Sequence, residues 1–271
     1  VSFDSRRRSA SYSIAWEDIN WDIRDGGTQA YYNGPRQESW WNLNIGSGAQ
    51  KSLHYSAIHR ALYKYYYGNV DGLIRPSKAL KISYQTGSDP DGDALGKTYR
   101  ERVEKLVNIK PEIVIFEKKP SQEIQKTNGI IATSMHEIAH ASHVMYVGAN
   151  TFKATYIGIY ESWASAIQWY LTRHLYLELN KEIEKFDNAI NKQKWSIASL
   201  KYYTPLFIDL YDNVNQRGLS SIFVDDQVSG YQFCSLNQHI GSFQNLNNLR
   251  TYLKNNKPTG VSDSQIDNLL N

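Results

Sequence analysis

The segment Met135-His136-Glu137-Ile138-Ala139-His140 sets two histidines four residues apart in a run otherwise dominated by Gly129, Ile130, Ile131, Ala132, Ala139 and Val144. On a helix that spacing puts both imidazoles on one face, one turn apart. A helix with so broad an apolar surface is buried. Inside a core, neutral imidazoles and a carboxylate are costly unless something pairs them, and a metal ion is the most economical partner. Zn²⁺ held by three protein ligands keeps a fourth position for water. Glu137, beside such an ion, is placed to take that water's proton as it attacks a carbonyl.

The third ligand is harder to place. His143 follows His140 by three residues on nearly the same face, but along a straight helix it lies ~10 Å beyond His136, too far for all three to meet one ion. The longer pattern that recruits a third histidine after a turning glycine is excluded as well. Here His143 occupies the glycine position and Tyr146 that of the last histidine.

Glu161, in Tyr160-Glu161-Ser162-Trp163-Ala164, is the first acidic residue after Glu137 and opens the next long helical pattern. The gap and the local sequence Glu161-Ser162-Trp163-Ala164 resemble the gluzincin class of zinc metallopeptidases, in its thermolysin-like and aminopeptidase-like branches. The resemblance covers roughly residues 130 to 175, and it extends to surface metallopeptidases of gut Bacteroidetes. It implies that His136, His140 and Glu161 ligate Zn²⁺ and that Glu137 is the general base. It further implies a zincin-like fold and a peptide or protein substrate. Gluzincins also place a Tyr or His across the cleft to stabilise the oxyanion. Tyr231 and His239 lie at a fitting distance along the chain, with Tyr156, Tyr202 and Tyr203 as competitors. Asp209 and Asp212 are candidates to receive the second N–H of a ligating imidazole; the plainer reading is an exposed helix face or a cap.

The rest of the chain predicts what surrounds the motif. Alternation from Tyr12 to Asp22, ending at Asp25-Gly26-Gly27, reads as half-buried extended structure. Residues 31–48, with Pro35 and the Trp40-Trp41 pair, read as irregular; the two tryptophans pack on the core or line a substrate cleft. Leu53, Ala57, Ile58, Ala61, Leu62 and Tyr65 recur at helical spacing between Gln50 and Tyr67, with Gly68 as the cap. His54 and His59, five apart, are expected at a surface or interface. Leu80–Tyr84 and Glu112–Glu117 read as strands and residues 95–107 as a short helix. Asp89, Asp91 and Asp93 form a polar turn, because an EF-hand count from Asp89 meets Ala94 and Arg100 where glycine and glutamate are required.

After Gly148-Ala149-Asn150 ends the motif helix, helical patterns follow at Tyr160–Leu179, Glu184–Leu200 and Tyr203–Val214, with short helices over 240–271. The layout expected is α+β: a small N-terminal sheet with the motif helix in residues 1–148, then a mainly helical subdomain in 149–271 that brings the third ligand.

Composition narrows the partners. The chain's 30 basic and 27 acidic residues give a net charge of +3, and the basic cluster Arg6-Arg7-Arg8 reads as a solvated tail, so nucleic acid is not expected. No apolar run reaches membrane-span length. Cys234 stands alone, which excludes an internal disulfide. The start at Val1, with 20 Tyr, 7 Trp and abundant Asn, leans toward a processed, secreted or surface-anchored bacterial protein. Oligomeric state is not encoded in any pattern here. Two other classes fit the same residues: a binding protein for glycans or host protein on a peptidase fold, and a domain whose zinc is purely structural.

Overall fold

A computed structural model describes residues 13–33, 49–90, 96–98, 113–178, 205–218, 221 and 224–271. The chain is α+β, a small mixed sheet with a mostly helical remainder. It divides into two compact units: Val1–Gly68 with Pro76–Ile138, and Asn69–Arg75 with Ala139–Asn271.

In the first unit the early alternation becomes a set of short strands: β1 (Ser13–Ala15), β2 (Glu17–Asp18), β3 (Trp21–Asp25), β4 (Thr28–Gln29) and β5 (Tyr31–Asn33). Asp25-Gly26-Gly27 is the turn between β3 and β4, as expected, and β1 pairs with β5 in a separate two-stranded ribbon. Helix α1 (Gln50–Tyr67) follows. Gly68 itself stays helical (φ −68°), and the left-handed residue that ends the turn is Asn69 (φ 44°).

The main sheet then runs β2-β3-β6-β8-β7, with β6 (Leu80–Gln85), β7 (Gly96–Thr98) and β8 (Ile113–Phe116). β3, β6 and β8 are parallel and β7 is antiparallel to β8. Parallel strands covered on both faces carry continuous apolar runs. Ile113, Val114, Ile115 and Phe116 are accordingly all buried, and the hydroxyl of buried Ser83 in β6 is satisfied by the Gly26 carbonyl at 2.8 Å.

Two expectations need correction. Gly96–Thr98, placed in a short helix by its sequence, is an edge strand; the remainder of 95–107 lies outside the described residues. His54 and His59 are core residues, 0 % and 2 % exposed. His59 Nδ1 accepts the Trp21 indole N–H at 3.2 Å, and the His54 ring bonds to the Tyr84 hydroxyl and the Gln125 carbonyl. Spacing says which face a histidine shares, but only the fold supplies the partners that make its burial affordable. Trp40-Trp41, Arg6-Arg7-Arg8 and Glu184–Leu200 lie outside the described residues.

The motif helix α2 (Thr127–Val147) follows β8 across residues 117–126, which fold back on themselves through a Lys118–Ile124 bridge. Gln125 secures that entry: its side chain donates to the Phe116 carbonyl at 2.7 Å and its backbone N–H to Glu117 O at 2.8 Å, while its carbonyl meets His54. Gly148 (φ 82°) then takes a conformation that a side chain would strain, and the chain turns into α3 (Ala149–Ala154). Helix α4 (Ile157–Glu178) begins one turn earlier than its sequence pattern indicates. The second unit continues with α5 (Leu206–Tyr211), whose first turn follows Pro205, then α6 (Phe233–His239), α7 (Leu246–Asn255) and α8 (Asp263–Leu270).

Candidate metal centre

Helix α2 is buried almost throughout: Ile130, Met135, Ile138, Ala139, Ala141 and Val144 are all within the core. Ala139 and Ala141 leave room for close neighbours, and Ser134 returns its hydroxyl to the Ile130 carbonyl one turn back at 2.7 Å. This places His140 inside (2 % exposed), with His136 half-buried one turn earlier.

The His140 ring meets Phe152 of α3 and Tyr160 of α4 edge-on, at centroid distances of 6.2 and 5.8 Å, and those two aromatic rings stack on each other at 4.9 Å. Tyr160 precedes Glu161, so the stack that walls the imidazole also fixes where the glutamate emerges. Glu161 lies in the second turn of α4 and is followed by Ser162, whose hydroxyl is spent on the helix's own Gly158 and Ile159 carbonyls. His140 Nε2 and Glu161 Oε2 are 3.4 Å apart. One ligand atom from each of His136, His140 and Glu161 falls within 4.8 Å of the others.

These distances test whether a metal fits. Two ligands each about 2.1 Å from a tetrahedral ion stand about 3.4 Å apart, which is the His140–Glu161 separation. Two imidazoles and a carboxylate are a donor set that zinc takes with a position left open. The residues therefore suit a zinc-sized ion, and the half-buried His136 and Glu161 leave the group partly open to solvent.

Glu137 is buried beside His136. Its neighbour across the sheet was not legible in the sequence. A Cβ placed on Gly96 would stand 2.9 Å from Glu137 Cγ and 2.8 Å from Thr133 Cγ2, closer than real side chains approach. Edge strand β7 thus lies with its bare backbone against the motif helix at Glu137, and glycine is what permits it. Because Gly96 fell in a stretch read as a short helix, the sequence carried no signal for this contact.

The other candidates separate. His143 is buried and meets Phe152 edge-on at 4.9 Å, and it is absent from the His136, His140, Glu161 group. Tyr231 is buried and donates its hydroxyl to Leu253 O at 2.7 Å; burial first, then Tyr252 and Asp263, push its ionisation well up. His239 is exposed, with Nδ1 on the Ser235 carbonyl at 2.9 Å. Tyr156 is exposed, and Tyr202 and Tyr203 lie outside the described residues. Asp209 is fully buried rather than on an exposed face, and it groups with Asp212 and Asp226. Among the described residues no helix is long and apolar enough to cross a membrane.

Comparison with protein-family models, with curated proteins and with solved structures finds no match to this chain.

Proposed function

We propose that the chain is a zinc-dependent metallopeptidase of gluzincin type, with His136, His140 and Glu161 as metal ligands and Glu137 as general base. The observation that carries this reading is the 3.4 Å approach of Glu161 to His140 within a group that also takes in His136. A lone His–Glu ion pair would account for two of the three residues, but not for His136 on the same helix face. A closed structural site would use up all its ligand positions, whereas two of these three residues are half-buried.

Zinc bound there supplies Lewis-acid polarisation of a carbonyl and acidifies water to near-neutral pKa. The chain's own residues do the rest. Glu137 stands about 100° round the helix from His136 and about 60° from His140, beside the ligand face rather than on it. From there its carboxylate takes a proton from the attacking water and delivers it to the leaving amine. The peptide class of substrate is favoured by β7, which ends the sheet among the described strands while lying against Glu137. A strand edge pairs its N–H and C=O groups with an extended peptide.

The test is Glu137→Gln. Zinc content should remain one per chain by elemental analysis while hydrolysis of a peptide library falls by about 10²–10⁴. A variant that still cleaves at the wild-type rate removes Glu137 from this role. Wild-type protein that holds zinc yet cleaves nothing favours the binding or structural alternatives.

A further inference from the structure

The first turn of α2 carries a pair of residues with a chemistry of its own, outside the metal centre. Asn128 and Gly129 are the second and third residues of the helix, and both are half-buried. The backbone ladder is joined from Ile130, whose N–H donates to Lys126 O at 3.0 Å. Gly129 N–H lies ahead of that ladder, where helical amides have no carbonyl one turn back, and it donates to Asn128 Oδ1 at 2.9 Å.

That bond brings a nucleophile to its electrophile. Oδ1 and Cγ are one carbonyl bond apart, about 1.2 Å, so the Gly129 nitrogen stands no more than about 4.1 Å from Asn128 Cγ. Glycine puts no side chain of its own in the way. A Cβ built there would meet Gln125 Oε1 at 3.4 Å, an ordinary contact, so the space beside the nitrogen is open. Other asparagines lack this combination. Asn150 is followed by Thr151, whose branched side chain crowds the nitrogen, and Asn20 gives its amide to the Tyr67 hydroxyl at 2.7 Å. The chain's other Asn-Gly pair, Asn33-Gly34, has its glycine outside the described residues.

We infer that Asn128-Gly129 is a modification site, at which the chain deamidates without an enzyme and acquires a carboxylate in the first turn of the motif helix. The Gly129 nitrogen gives its proton to solvent base and attacks Asn128 Cγ. The new C–N bond closes a five-membered succinimide, and the side-chain nitrogen leaves as ammonia, taking a proton back from solvent. Water then opens the ring. Cleavage of the new bond leaves aspartate in the ordinary backbone; cleavage of the original peptide bond leaves isoaspartate, with the chain continued through Cβ and Cγ. One water is gained and one ammonia lost, and nothing is oxidised or reduced. The aspartate product sets negative charge at the positive end of the helix dipole, where it is favourable. The isoaspartate product adds a methylene to the backbone about two turns ahead of His136.

The modification is independent of the peptidase reading and is read by mass, without any activity. Full-length protein is incubated in mildly alkaline buffer, natively and in concentrated urea, then digested and sequenced by mass spectrometry. The peptide holding Asn128 should gain about 1 Da, with isoaspartate localised at that position. Direct hydrolysis of the side-chain amide gives no isoaspartate, so its presence marks passage through the ring. No ladder bond has to break for Gly129 to react, and opening at helix ends costs little, so the native rate should lie within about tenfold of the rate in urea. Gly129→Ala keeps a helical residue there and adds the Cβ, and it should slow the native reaction at least about tenfold. No gain at Asn128 in the native protein, or a native rate below that tenfold margin, overturns the proposal, because the fold then holds the two atoms apart. An unchanged rate in Gly129→Ala, or aspartate formed without isoaspartate, overturns it equally.

Discussion

His140 and His143 stand one turn apart on α2 and meet the same ring, Phe152, yet only His140 faces Glu161. Helix geometry separates them: an ion shared by His136 and His140 is about one turn behind His143. His143→Phe should therefore keep zinc at one per chain, with at most a packing loss of about 1–2 kcal/mol from substitution in a filled site. His140→Phe should lose zinc outright. Elemental analysis of the two proteins side by side checks this, and zinc lost from the His143 variant alone would reverse the ligand assignment. The grouping of His136 with His140 was legible in the sequence because two side chains four residues apart are related by the helix itself. Glu161 was reached through a family resemblance, since nothing in local spacing says that α3 and α4 return it to His140.

At the scale of elements, the least legible contact is that between β7 and α2. Gly96 and Glu137 are far apart in the chain, and residues 95–107 read as a short helix. The parallel sheet decides otherwise, because β8 needs a partner on its outer side and Gly96 pairs there with Ile115. Gly96→Ala puts a methyl group where Glu137 and Thr133 already stand. The strand or the glutamate must shift, so kcat should fall at least tenfold, with zinc content unchanged and stability lowered by about 1–3 kcal/mol. Kinetics and a denaturant melt on the same preparation separate the effects; wild-type kcat in a stable variant would show that the strand does not hold the base in place. Helix α1 gives the complementary lesson. Its bounds follow from periodicity, but its histidines were misplaced because their partners, Tyr84, Gln125 and Trp21, come from elements that spacing does not reveal.

For the molecule as a whole, those same histidines set a response to acid. Burial, opposed by Asp18, lowers His59 from 6.5 to about 4, and burial likewise lowers His54, against the Gln125 carbonyl and Glu117. A histidine held neutral in the fold but free to protonate when unfolded stabilises fully above pH 6.5. That contribution fades as pH falls toward 4, because the unfolded chain then binds the proton that the fold refuses. The His59 contribution alone is about 3 kcal/mol. Urea midpoints at pH 7.5, 5.5 and 4.5 should decline accordingly, and in metal-free protein His59→Phe should decline less steeply than the wild type. Equal slopes would mean that His59 is not the group responsible. The broad α+β division was readable from the order of strand and helix patterns, and the mixed sheet with its helical remainder agrees with it. Its detailed register was not, because pairing partners in a parallel sheet are remote in sequence.

That remoteness also bears on how the chain reaches its native state. β3 meets β6 only after residues 26–79 have been looped out, and β6 meets β8 across 86–112. Closing such loops must precede any gain from the pairing, so folding of this unit belongs with slow, non-local topologies rather than with helical bundles. Helix α2 follows β8, the last of the three parallel strands in chain order, across residues 117–126. His136 and His140 share one helix, whereas Glu161 reaches them only once α2 and α4 have packed. On the proposed ligand set, two donors thus come with a single helix and the third depends on tertiary packing.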